Sequence, residues 1–144
     1  MKKQICIEDI AEELEACTDS WEQFLNTETG EIVALSDGMW VDRDEELEEE
    51  IDASDSYERL PNQYEIHEWK IMETFALGVT SERKQERLLL ALHGRKAYRH
   101  FKDEIINLGI DEEYYAYRFQ ALCKIAEEWC EENEIPYTTR EERH

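Results

Sequence analysis

Arg95, Arg99 and Lys102 are the residues whose type and spacing could do chemistry, and that chemistry is anion recognition. They belong to a positive island, residues 83–102, with seven Lys or Arg against the single acid Glu86, a local charge of +6 in a chain of net charge −21. So sharp a reversal of sign attracts anions or the molecule's own carboxylates. On the helix expected over Lys96–Asn107, positions 95, 99 and 102 fall on one face, so the three cations could reach one anion together. Lys96 and His100 stand at the margins of that face. Tyr98, Phe101 and Ile105 take the neighbouring face and are expected to anchor the helix to a core. The start of that helix, just past Gly94, adds free N–H groups that favour anions. The competing expectation is internal pairing, with Asp103, Glu104 or the acidic N-terminal half.

Other chemistries lack their residues. A calcium loop starting at Asp42 fails, because Leu47 stands where the turn glycine is needed and Ala53 where the bidentate glutamate belongs. His67 and Glu68 do not begin a zinc-protease motif, since Ile71 occupies the second histidine position. His93, His100 and His144 show no ligand spacing. There is no G-x-S-x-G, no G-x-G-x-x-G and no phosphate-binding loop of the Walker type. Cys6, Cys17, Cys123 and Cys130 contain no C-x-x-C pair, and their spacings suit small buried hydrophobes that stay reduced. No catalytic residue, metal or cofactor is expected.

The elements that must position the basic face can be read from periodicity. The 144 residues, 41% hydrophobic with four tryptophans, suit one folded domain. Residues 1–63 carry 20 acids and 4 bases, and residues 64–144 carry 17 acids and 12 bases. The expected fold class is α+β and mainly helical: an N-terminal helix and a small antiparallel β-hairpin or sheet on a four-helix C-terminal bundle. A single domain is expected over 1–137, with helix plus hairpin in 1–41, an acidic connector in 42–60 and the helical part in 61–137. Residues 138–144 read as a polar, frayed tail.

Within that plan, Cys6–Cys17 is an amphipathic helix with Cys6, Ile10, Leu14 and Cys17 on one face. Trp21–Asn26 and Glu31–Ser36 flank Thr27-Glu28-Thr29-Gly30 as a hairpin, and Met39-Trp40-Val41 is expected to add a third strand. The acidic segment 42–56 fits a short helix or a solvated loop equally well. Asn62 and Glu65 have the spacing of a capping box. Helices follow over an apolar stripe at Ile71, Met72, Phe75, Ala76 and Val79, then after a Thr80 or Ser81 cap, then over Lys96–Asn107, closed by Gly109. The last runs from Asp111 to about Asn133 with Tyr115, Phe119, Leu122, Ala126, Trp129 and Cys130 facing inward. No apolar run approaches the roughly 20 residues of a membrane span, and the N-terminus lacks the apolar stretch of a signal peptide, so a cytoplasmic location is expected.

Several of these runs occur together: Tyr57-Glu-Arg-Leu-Pro, Trp69-Lys-Ile-Met-Glu-Thr-Phe75, Leu89 to Asp103, Tyr114-Tyr115, and Trp129 with Ile135. With the hairpin Phe24–Val33, they resemble a bacterial uncharacterised protein family, number one hundred and fifty-eight among those of unknown function. The resemblance covers about residues 5–137, and its most specific element is Gly94 to Asp103. The family it resembles prefers a glycine at position 96, a phenylalanine at 98 and an arginine at 100, where this chain has Lys96, Tyr98 and His100. The resemblance implies a layout and brings no activity.

The functional expectation is a non-catalytic interaction or regulatory module whose basic helix face binds an anion or phosphate. Its partner would be a protein or a phosphate-bearing ligand, with nucleic acid a weaker option, no membrane, and self-association left open. The alternative is an acidic protein-binding module, a polyanion mimic using residues 42–55. A small hydrolase is a third, weaker option.

Overall fold

The computed structural model describes residues 2–16, 20–39 and 41–140. It is a mainly helical α+β protein with a small antiparallel sheet. The chain divides into two compact units, Met1–Ile66 with Leu122–His144, and His67–Ala121.

In the first unit, β1 (Ile5–Cys6) leads directly into α1 (Ile7–Glu15). The i, i+3, i+4 spacing of Ile7, Ile10, Ala11 and Leu14 makes one apolar stripe, and all four are buried. β2 (Trp21–Asn26) and β3 (Ile32–Ser36) form the expected hairpin, in the register Trp21↔Ser36 to Leu25↔Ile32. The Asn26 side-chain oxygen accepts from the N–H groups of Glu28 and Thr29, and Gly30, at φ +80°, makes the return that a side chain would resist.

The third strand is not where the sequence placed it. Met39 and Val41 lie outside any strand, and Trp40 lies outside the described residues. Asp37 Oδ1 accepts from Met39 N at 2.8 Å and Ser36 Oγ donates to Val41 O at 2.8 Å, which holds Met39 and Val41 close to the end of β3. The free edge of β2 is taken instead by β4 (Tyr57–Arg59), antiparallel, with Phe24 opposite Arg59. Between them the acidic segment folds as α2 (Glu45–Ala53), with Asp44 as N-cap, accepting from Leu47 N at 3.1 Å. Glu45, Glu46 and Glu48 in its first turn complement the helix dipole.

The Asn62–Glu65 capping box forms reciprocally, at 3.1 Å and 2.9 Å. It opens only the short α3 (Gln63–Ile66), because His67 adopts a left-handed conformation at φ 55° and ends the helix. Residues 137–140 are tied down, although a frayed tail was expected from residue 138. β5 (Tyr137–Thr138) pairs in parallel with β1, and the Arg140 guanidinium bonds the carboxylates of Asp9 and Glu12 on α1. Residues 141–144 lie outside the described residues.

The second unit contains α4 (Glu68–Leu77), α5 (Glu82–Leu92), α6 (Ala97–Asn107) and residues 111–121 of α7 (Asp111–Glu132). Ser81 caps α5 by accepting from Lys84 N, and Gly109 closes α6 at φ +71°. Its buried residues include Ile71, Met72, Ala76, Leu88, Leu92, Phe101, Ile105 and Tyr114. The rings of Phe75, Phe101 and Tyr114 meet edge to face with centroids 5.0–6.5 Å apart, joining α4, α6 and α7. Among the described residues, no helix is long and apolar enough to cross a membrane.

Candidate anion-binding face

The basic face belongs to α6 and the turn before it. Phe101 and Ile105, four apart, are fully buried and fix the helix rotation. Arg99 and Lys102, three apart, therefore share another face and are exposed. Tyr98, expected in the anchor, is 50% exposed and is not buried with Phe101 and Ile105.

Arg95 is not on the helix. Lys96 takes a left-handed conformation, φ 54° and ψ 44°, and stands at the N-cap, so helical spacing does not extend back to position 95. Arg95, Lys96, Arg99, His100 and Lys102 are all exposed. None of these five side chains makes an ion pair or hydrogen bond with any of the described residues. Nor does a side chain cap the start of α6, and its first turn holds no acid.

Glu104 is the acid closest in sequence that does form a pair, and it pairs elsewhere. Arg87 of α5 donates from its terminal nitrogen to Glu104 Oε1 at 3.1 Å, and its Nε lies 3.0 Å from Oε2. The Oε2 contact is close but poorly aligned for a hydrogen bond. Arg87 is thereby withdrawn from the basic island, and Glu104 from neutralising Arg99 or Lys102. Lys84, also of the island, lines a separate cleft.

A second polar cluster in this unit has a signal in the sequence. Tyr114, Arg118, Leu122, Ala126 and Cys130 recur every four residues on α7, and the inward face runs along this row. Tyr114 is fully buried, whereas Tyr115, the expected core residue, is 45% exposed. An arginine on such a stripe needs a carboxylate. Glu68 supplies it: Arg118 Nε donates to both carboxylate oxygens, and the Tyr114 hydroxyl donates to Oε1 at 3.0 Å. Burial and the neighbouring Glu68 carboxylate raise the Tyr114 hydroxyl well above its ordinary pKa, so it stays a donor.

Among the described residues, no group of three or more His, Cys, Asp or Glu is arranged to hold a metal ion. The combination defines a class: an acidic, mainly helical α+β protein with a small antiparallel sheet and one basic helix face. The chain belongs to the Uncharacterised protein family (UPF0158), whose family model matches residues 3–144. No curated protein and no solved structure matches it.

Proposed function

We propose that the protein is a non-catalytic interaction or regulatory module of the cytoplasm that binds a phosphate-bearing ligand on the basic face of α6. The observation that carries this reading is the set of exposed cations, Arg95, Lys96, Arg99 and Lys102, left without carboxylate partners among the described residues in a chain with 37 acids. A guanidinium without an internal partner is free to form paired, charge-assisted hydrogen bonds with phosphate oxygens.

The net charge of −21 narrows the ligand. At about 0.1 M salt, charges more than about 10 Å apart are largely screened, so the face can attract a compact phosphate group while the remaining surface repels a long polyanion. A nucleotide or short oligonucleotide fits this balance better than an extended duplex. Fluorescence anisotropy with a labelled short oligonucleotide and with nucleotides tests the proposal. Binding should weaken with added salt and be lost in Arg99→Glu without a change in melting temperature. Absence of salt-sensitive binding by the wild-type protein at low ionic strength overturns it.

The acidic alternative draws support from α2. This helix has no buried residue and carries six acids with no base. As a docking strip it would meet a basic partner, and the α6 cations would then be irrelevant to capture. Charge reversal at Glu46 and Glu49 separates the two readings: partner capture lost only in that variant favours the acidic strip, and capture lost only in Arg99→Glu favours the basic face.

A further inference from the structure

A cleft of about 430 Å³ lies wholly within the second unit, where the end of α4, the start of α5 and the start of α7 converge. This volume falls within the roughly 300–1,000 Å³ of small-molecule sites. Phe75 and Tyr117 line it, their rings tilted at 51° with centroids 5.5 Å apart, and Val79 extends the apolar surface. Lys84 and Glu113 provide its charged groups, and Thr74, Thr80 and Ser81 add hydroxyls.

The corner that shapes the cleft is pinned. Gln85 Nε2 donates to the carbonyls of Ala76 and Leu77 at 3.3 and 2.9 Å, locking the start of α5 to the end of α4. The Ser81 cap on Lys84 N fixes where the lysine leaves the helix. Lys84 and Glu113 have opposite charges and line one cleft, yet neither forms an ion pair with the other or with any other of the described residues. Each side chain therefore keeps its charge available to a ligand.

The geometry points to a binding site for a small zwitterion with an apolar side chain, a free amino acid of the phenylalanine or leucine type. Its carboxylate meets Lys84, its ammonium meets Glu113, and its side chain lies against Phe75 and Tyr117. A simple anion would leave Glu113 as a like charge beside it, and a simple cation would do the same with Lys84; only a ligand carrying both charges satisfies both walls. The site is separate from the α6 face, so its success or failure is independent of the phosphate reading.

The test is titration of the full chain, labelled with nitrogen-15, with L-phenylalanine to about 10 mM, the weak end of specific small-ligand affinity. The expected result is saturable shifts of the Val79, Ser81 and Glu113 amide signals. Phenylpropionate, which lacks the ammonium, and phenethylamine, which lacks the carboxylate, should each bind about tenfold more weakly, a difference of about 1.4 kcal/mol. Lys84→Met and Glu113→Gln should weaken phenylalanine binding to a similar degree while retaining the wild-type melting temperature. No saturable shift with phenylalanine or leucine in the wild-type protein overturns the inference, as does phenylpropionate binding as tightly as phenylalanine.

Discussion

Arg118 Nε donates to both carboxylate oxygens of Glu68, at 2.8 and 3.1 Å, across 50 residues of sequence. The pair is mostly withdrawn from water, with side-chain exposures of 20% and 14%, and Tyr114 adds a third hydrogen bond. Removing one partner of such a pair strands the other charge. Glu68→Ala should lower stability by about 3 kcal/mol, and Tyr114→Phe, which loses only a hydroxyl, by about 1 kcal/mol. Urea denaturation of both single variants and the double variant measures this. A double variant less destabilised than the sum of the singles establishes the coupling.

Lys96 stands in a left-handed conformation, φ 54° and ψ 44°, at the N-cap of α6. That conformation costs a non-glycine residue roughly 1–2 kcal/mol, and glycine loses roughly 0.5–1 kcal/mol elsewhere through chain entropy. Lys96→Gly should therefore raise stability by up to about 1 kcal/mol. The same substitution removes a cation from the proposed phosphate face, so anion affinity should fall while the melting temperature rises.

Gly78 presents the opposite case. Its φ of −87° is ordinary right-handed backbone, and an added Cβ would find its nearest neighbour, the Phe75 carbonyl oxygen, at 3.5 Å. Gly78→Ala should stabilise the protein by about 0.4–1 kcal/mol through the unfolded state. A shift of the urea midpoint without a change in slope is the expected signature.

Glu65 should give the protein part of its acid sensitivity. Its carboxylate is held below the ordinary glutamate range, first by the Asn62 N–H it accepts and then by Arg59, while desolvation works the other way. A depressed folded pKa means that the stabilisation is present above the ordinary value and lost as pH falls through the folded one. The urea midpoint should decline between about pH 5 and pH 3, and Glu65→Gln should flatten that slope.

Cys130 is fully buried, and burial, with Glu127 and Glu131 adding to it, pushes its thiol up to about 12. A raised thiol pKa keeps the reactive thiolate scarce in the folded protein. Its sign also means that stability present below the ordinary thiol range is lost as pH rises toward the folded value. At mildly alkaline pH, iodoacetamide should label the less buried Cys123 before Cys130, and urea should abolish the difference, as read by peptide mass mapping.

The structure departs from the sequence reading where distant segments or unusual backbone decide the outcome. Hairpin, caps and helix spans were legible because they are local: Asn62 and Glu65 find each other three residues apart, as do Ser81 and Lys84. The third strand was not, because pairing Phe24 with Arg59 depends on which distant segment reaches an open sheet edge. The left-handed residues His67 and Lys96 were also missed, since neither side chain announces such a backbone. That one turn removed Arg95 from the expected helical face, and Tyr98 proved exposed where packing had been expected.

The order of residues alone determined the acidic charge, the basic island and the amphipathic helices, because charge is compositional and helical periodicity acts within a few residues. Tertiary structure decided which cations kept a carboxylate. Arg87 and Arg118 were taken by Glu104 and Glu68, 17 and 50 residues away, while Arg95, Arg99 and Lys102 were left without partners among the described residues. The reason is physical: an ion pair requires two groups within about 4 Å, and only the packing of helices sets distances between residues far apart in the chain.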